Sequence, residues 1–136
     1  MTMRIKEKIK EIEIYLDELS SIIPGDFDEY STDIKTKAAC ERYFERVIEA
    51  VTDLAFLVIK KEKLETPDED KQAFDVLSNE GVISKELAKR LKSAKGMRNI
   101  IAHEYGEVDD KIVFNSINQE IVKDTEEFIK NIKKVI

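Results

Sequence analysis

The sequence has one cysteine, one histidine and no tryptophan among its 136 residues. Because Cys40 is the only cysteine, an intramolecular disulfide bond is excluded, and no His/Cys spacing typical of a metal site is present. The sequence also lacks a glycine-rich phosphate loop, an apolar signal-peptide stretch and any run long enough to span a bilayer. We therefore expect a protein of the reducing cytoplasm that uses neither a metal ion nor another cofactor.

Charge is unevenly distributed along the chain. Overall, 23 lysines and arginines stand against 29 aspartates and glutamates, so the net charge is −6 and general attraction to a polyanion is not expected. One segment differs, because it carries five closely spaced cations: Lys89, Arg90, Lys92, Lys95 and Arg98. These cations either attract phosphate groups locally or form the solvated face of a helix.

Hydrophobic periodicity predicts an all-α fold. Apolar residues recur at three- and four-residue steps, and no segment alternates in the way of a half-buried strand. We expect an up-and-down bundle of four long helices plus one short helix, in a single domain over residues 1–136. The long helices are expected near residues 3–22, 33–61, 84–105 and 112–135, the short helix near 66–78, and a loop over 26–31.

Polar residues at the predicted helix ends give several boundaries. Thr32 or Asp33 can cap the second long helix, and Ser84 can cap the third. Thr66, followed by Pro67 and Glu69, has the pattern of a capping box at the start of the short helix. We expect the short helix to end near Gly81 and the third long helix to end at Gly106.

The third long helix ends in the residues best suited to phosphate chemistry. Arg98, Asn99, His103 and Tyr105 lie within eight positions, and His103 is the only histidine of the chain. An imidazole moves protons near neutral pH, and a guanidinium can hold two phosphate oxygens at once. We therefore take Arg98 and His103 as candidate catalytic residues, with Asn99 as a supporting amide.

The same segment resembles a known family. Its spacing, Arg98-Asn99-x-x-Ala102-His103-x-Tyr105-Gly106, followed by Val108-Asp109, is similar to the motif of the HepT-like ribonuclease toxins of the HEPN group. The resemblance extends from about Thr32 to Val113. It implies a HEPN-like helical bundle that forms a homodimer and cleaves RNA without a metal ion, with Arg98 and His103 as the nuclease pair. It also implies that an MntA-like nucleotidyltransferase antitoxin neutralises the toxin by transferring AMP to Tyr105.

Helical geometry separates the two candidate catalytic residues. On an unbroken helix Arg98 and His103 lie about 140° apart, whereas Asn99 and His103 share a face. The pair can meet if the helix unwinds near Gly96 or after Ala102, or if a second copy of the helix faces the first. A dimer would also supply two imidazoles, which transesterification of RNA needs as base and acid.

Simpler interpretations of each residue remain open. Arg98 lies in an apolar stripe, so it can be a buried partner of a carboxylate such as Glu45 or Glu49 on the second long helix. His103 can cap a carbonyl group, and Tyr105 can close the core. Correspondingly, the chain can be a catalytically idle helical subunit of a nucleotidyltransferase complex, or a purely structural dimerisation bundle.

Overall fold

The computed structural model describes residues 2–103 and 109–136, and these residues are almost entirely helical. No strand occurs within these two ranges. The helices are α1 (Thr2–Ile22), α2 (Phe27–Thr32), α3 (Ile34–Lys61), α4 (Gln72–Asn79), α5 (Lys85–His103), α6 (Asp110–Asn115) and α7 (Ile121–Lys133), with a π-helical turn, Ser116–Glu120, joining α6 to α7. The prediction of an all-α fold is confirmed.

Helix α3 is the centre of the bundle. It packs against α1 along its length and also contacts α2, α4, α5 and α7. Ile48 and Ala55 widen its fully buried stripe, which consists of Cys40, Phe44, Val47, Val51, Leu54 and Val58. Cys40 belongs to this core, where burial raises the pKa of its thiol to about 11 and keeps it protonated and unreactive. A helix buried on several sides gives fixed positions to side chains at its edges.

Two of the predicted helix starts are confirmed by their hydrogen bonds. The Asp33 carboxylate accepts the backbone N–H groups of Lys35 at 3.1 Å and Thr36 at 3.4 Å, which caps α3. The Ser84 hydroxyl accepts the N–H of Leu87 at 3.0 Å, which caps α5. Each cap satisfies amide groups that have no partner inside the helix. Helix α4 ends beside Gly81, whose φ of 76° is a left-handed conformation that favours glycine.

The loop predicted over residues 26–31 is wrong, because this segment contains α2. Its first turn is capped by Asp26, whose carboxylate accepts the N–H of Glu29 at 2.8 Å. Tyr30 is fully buried, with its ring centroid 5.1 Å from that of Phe114 in α6. Six residues are too few to show a helical period in the sequence, and the contact with Phe114 stabilises the short helix.

The capping box predicted at Thr66 is also wrong. Helix α4 begins at Gln72, and the Gln72 side-chain oxygen accepts the N–H groups of Asp68 at 3.1 Å and Glu69 at 3.2 Å. These bonds close a turn that brings the chain to the surface of α5 before the helix starts. The last predicted helix begins at Asp110 rather than Ile112, because Asp109 accepts the N–H of Lys111 at 3.0 Å.

Helix α5 is continuous through Gly96, so it does not unwind there. A Cβ atom at Gly96 would lie 3.2 Å from Nζ of Lys71, the residue that precedes α4. The absent side chain therefore lets an ammonium group approach the helix closely. Termination of the helix at Gly106 lies outside the described residues.

We expect Gly96→Ala to raise the free energy of unfolding by about 0.5–1 kcal/mol, because alanine loses less backbone entropy in a helix than glycine does. The flexible end of Lys71 can move by the few tenths of an ångström that the added methyl group requires. Urea denaturation of the variant and the parent measures the difference. A less stable variant would contradict a regular helix at this position.

Candidate functional site

Arg98 is held by a carboxylate of the central helix. Its Nε donates to Oε1 of Glu49 at 3.1 Å, and its Nη2 contacts the same oxygen. The Arg98 side chain is 22% exposed and that of Glu49 is 40% exposed. Of the two carboxylates that the sequence suggested, Glu49 is the partner, whereas Glu45 lies 3.5 Å from Arg42. Arg98 thus meets the requirement that a partly buried guanidinium has an anionic partner.

The contact with Glu49 leaves Arg98 able to exchange partners. An ion pair as open to water as this one contributes at most about 1 kcal/mol to stability, because solvent screens the charges. Both donors go to one carboxylate oxygen rather than one to each. A phosphate group that meets the guanidinium with two oxygens can therefore compete with Glu49.

Asn99 contacts Arg98. Its side-chain oxygen accepts from Nη1 of Arg98 at 3.2 Å, so the guanidinium is fixed from two directions. Among the described residues Asn99 forms no hydrogen bond with His103, although the two share a helix face. The role of Asn99 as the residue that orients the imidazole or the phosphate remains a prediction.

His103 is the last described residue of α5, and it is exposed. Because the helix is regular from Lys85 to His103, the imidazole and the Arg98 guanidinium leave it in different directions, about 140° apart. A single chain does not bring the two groups together within the described part. Tyr105, the predicted site of AMP transfer, lies outside the described residues.

Arg98 lies between two adjoining surface cavities. One, of about 320 Å³, is lined by Glu49, Thr52, Asp53, Phe56, Asp70 and Lys95 as well as Arg98. The other, of about 430 Å³, is lined by Glu69, Asp70, Lys71, Lys95 and Asn99 together with Arg98. The guanidinium is thus one of three cations around a shared depression. The sequence placed Lys95 near Arg98 but gave no sign of Lys71.

Two other cations of the basic segment pair with carboxylates of neighbouring helices. Nε of Arg90 lies 2.9 Å from Asp124 in α7, and Nζ of Lys92 lies 2.9 Å from Asp75 in α4. These two residues therefore join helices, whereas Lys89 is exposed, as on a solvated face. Of the five clustered cations, only Lys95 and Arg98 line the depression, and local attraction of phosphate by them remains a prediction.

Apolar side chains are exposed on another side of α5. Ile100, between the two candidate catalytic residues, is 44% exposed, and Ile112 of α6 is 56% exposed. Ile112 and Met97 line a groove of about 310 Å³ between α5 and the last two helices. Exposed aliphatic residues beside a groove are typical of surfaces that bind another protein.

The described residues contain neither a helix suited to crossing a membrane nor a cluster of metal ligands. No helix in residues 2–103 and 109–136 combines the length and the apolar composition needed to cross a membrane. Within those same ranges, no three histidine, cysteine, aspartate or glutamate side chains are arranged so that they could hold a metal ion.

Similarity to known proteins covers nearly the whole chain. A curated relative from Shewanella oneidensis, named mRNA nuclease HepT, is 29% identical over 109 residues, which are 80% of this chain and 81% of the relative. The tRNA nuclease HepT of Aphanizomenon flos-aquae is 27% identical over 114 residues, which are 84% of this chain and 78% of the relative.

A solved structure is similar over almost the same extent. The tri-AMPylated HEPN toxin of Shewanella oneidensis, in complex with its MNT antitoxin, superposes with a TM-score of 0.88 at 27% identity and covers 96% of both chains. The model of the family described as ribonuclease HepT-like matches residues 6–132. The chain therefore belongs to the ribonuclease HepT-like family.

Proposed function

We propose that this protein is the toxin of a toxin-antitoxin pair and that it cleaves RNA in the cytoplasm without a metal ion. The observation that carries the proposal is the exchangeable contact of Arg98 with Glu49 at the edge of a cation-lined depression, one and a half helical turns before the exposed His103. The named activities of the relatives, an mRNA nuclease and a tRNA nuclease, support RNA as the substrate.

The proposed reaction is transesterification within the RNA backbone. A 2′-hydroxyl group loses its proton to an imidazole, and its oxygen attacks the adjacent phosphorus. The bond from phosphorus to the 5′-oxygen breaks, and that oxygen takes a proton from an imidazolium. Arg98 binds the phosphate and stabilises the charge that develops on it. The products are a 2′,3′-cyclic phosphate and a free 5′-hydroxyl group.

A homodimer resolves the geometric problem of the single chain. Each chain has one His103, which cannot be base and acid at once, and its own Arg98 points elsewhere. Two copies of α5 that face each other across a two-fold axis place two imidazoles and two guanidiniums around one cleft. The exposed position of His103 at the end of the described part of α5 supports a contact between copies there.

We expect His103→Ala and Arg98→Ala each to lower RNA cleavage by about 10²–10⁴-fold, the usual contribution of a proton-transfer group or a charge-stabilising group. Cleavage of a labelled RNA in the presence of a chelator measures the rate, and the products are tested for the cyclic phosphate. Arg90→Ala is the matched control, because Arg90 lies on the same helix but pairs with Asp124. Full activity of His103→Ala would refute the assignment.

Mixed dimers test the shared cleft. We expect chains carrying Arg98→Ala, co-produced with chains carrying His103→Ala and purified through two tags, to regain a measurable fraction of parental cleavage. A mixed dimer keeps one guanidinium and one imidazole in the same cleft. Water must replace the second imidazole as base or acid, so cleavage is expected to exceed that of either variant alone and to stay well below that of the parent. If the mixed dimer is as inactive as either variant alone, the two chains do not share a site.

Glu49 is proposed as a positioning residue for Arg98. We expect Glu49→Gln to lower kcat by roughly ten- to a hundredfold, because the guanidinium loses its anchor. We expect KM to fall as well, because the phosphate no longer competes with a carboxylate. The matched control is Glu45→Gln, one turn away on α3 and paired with Arg42. Unchanged kcat and KM in Glu49→Gln would contradict this role.

We further propose that an MntA-like nucleotidyltransferase silences the toxin by transferring AMP to Tyr105. The phenolic oxygen attacks the α-phosphate of ATP, and pyrophosphate leaves. The added phosphate lies two residues from His103 in the sequence, so it repels and blocks the RNA phosphate. The similar Shewanella oneidensis toxin, which is tri-AMPylated and bound to an MNT antitoxin, supports this partner class.

Intact mass spectrometry tests the modification. The parent chain co-produced with its nucleotidyltransferase should gain the mass of one or more adenylyl units and lose RNA cleavage. The Tyr105→Phe chain, co-produced in the same way, should show only its own unmodified mass and remain active. Tyr43→Phe, on α3, is the control and should be modified as the parent is. An unmodified parent, or a modified Tyr105→Phe chain, would refute the assignment.

A catalytically idle subunit is the second candidate function. The net charge of −6 favours it, because an acidic chain attracts RNA weakly. In that case the chain would bind the nucleotidyltransferase and present Tyr105, but it would not cut RNA. Partner binding by a purified parent that has no cleavage activity would select this function over the first.

A further inference from the structure

Lys71 is placed beside the motif helix by the turn that precedes α4. Its Nζ lies 3.2 Å from the position of a Cβ atom at Gly96, and it forms no ion pair with any carboxylate of residues 2–103 and 109–136. The ammonium group therefore lies against the backbone of α5 and has no ion-pair partner among the carboxylates of the described residues. It faces the same cavity as Arg98 and Asn99.

Lys95 contributes a second ammonium group to this cavity. The residue is only 7% exposed, and its Nζ lies 3.5 Å from Oδ2 of Asp70. Burial of an ammonium group is costly unless an anion is close. Asp70 meets this need weakly, because the contact is long and its side chain is 60% exposed. A second anion in the cavity would stabilise Lys95 further.

We propose that Lys71 and Lys95 form a subsite for the RNA phosphate next to the one bound by Arg98. The inference rests on the proposed function. Three cations, the Asn99 amide and two carboxylates line this cavity of about 430 Å³, so cations are concentrated here in a chain whose net charge is −6. Single-stranded RNA that lies along α5 with one phosphate at Arg98 brings a neighbouring phosphate to the two ammonium groups.

The two carboxylates do not block this subsite. Asp70 is exposed and can turn towards water while a phosphate replaces it beside Lys95. Glu69 is fixed through its backbone, whose N–H donates to the Gln72 side chain at 3.2 Å, and not through its carboxylate. Their negative charge gives the subsite selectivity, because a ligand needs a phosphate at Arg98 as well to bind well.

The test is binding of 2′-O-methyl oligoribonucleotides, which lack the attacking hydroxyl group and are not cleaved. We expect Lys71→Gln to weaken binding of an octanucleotide roughly five- to tenfold at 50 mM salt and to lower the slope of log K against log salt by about 0.7, the change for one lost single-strand contact. With a dinucleotide, which has one phosphate, the ratio of the Kd of Lys71→Gln to the Kd of the parent should be clearly smaller than with the octanucleotide. Fluorescence anisotropy measures both.

Lys10→Gln is the matched control, because Lys10 is an exposed lysine of α1 and its substitution removes the same charge. An equal loss in Lys10→Gln, or an unchanged salt slope in Lys71→Gln, would overturn the subsite. Asp70→Asn should act in the opposite direction and tighten octanucleotide binding; weaker binding would also count against the proposal. Cleavage of natural RNA by the same samples distinguishes failure of the subsite from failure of the proposed function. If the parent cleaves RNA but Lys71→Gln binds the octanucleotide as the parent does, only the subsite is refuted. If the parent neither binds nor cleaves RNA, the proposed function is refuted.

Discussion

The contact between Arg98 and Glu49 joins the two helices on which the site depends. Glu49 projects from α3, the most extensively buried helix, so its position is set by the core. Arg98 projects from α5, and Asn99 supports it from the same helix. The pair is open enough to water that its net contribution to stability is small. It therefore fixes the direction of the guanidinium while leaving phosphate able to replace the carboxylate.

Much of the fold follows from local signals in the sequence. The helix expected near residues 3–22 and the caps at Asp33 and Ser84 depend on residues a few positions apart, and all three were predicted correctly. The helix boundaries were predicted wrongly where tertiary contacts determine them. Helix α2 forms because Tyr30 packs on Phe114, which is distant in the sequence, and α4 starts late because Gln72 closes a turn. Such contacts override the capping signal at Thr66.

The candidate site likewise contains one contact that the sequence suggested and one residue that it did not. Because a buried guanidinium requires an anion, pairing of Arg98 with Glu45 or Glu49 was one of the alternatives left open by the sequence, and only the helix register selects Glu49. Lys71 could not be found from the sequence, because its position depends on the turn before α4 and on the missing side chain of Gly96. In the sequence Gly96 indicated only a possible unwinding of the helix.

The distribution of charge explains how an acidic chain can act on RNA. Arg90 and Lys92 are paired with Asp124 and Asp75, so two of the five cations of the basic segment join helices and add little external field. Lys71, Lys95 and Arg98 line the depression, where each cation gives a local positive field beside the carboxylates. Salt screens such a local field within about 10 Å at ordinary ionic strength. It therefore binds a phosphate that is already close and does not attract RNA from a distance. A net charge of −6 gives little general attraction to nucleic acid, so the proposed cleavage relies on two adjacent phosphates bound at Arg98 and at the proposed subsite of Lys71 and Lys95. Adenylyl phosphate near His103 would cancel this small positive field more completely than it could cancel a wholly basic surface, which makes a single modified side chain an efficient means of inhibition.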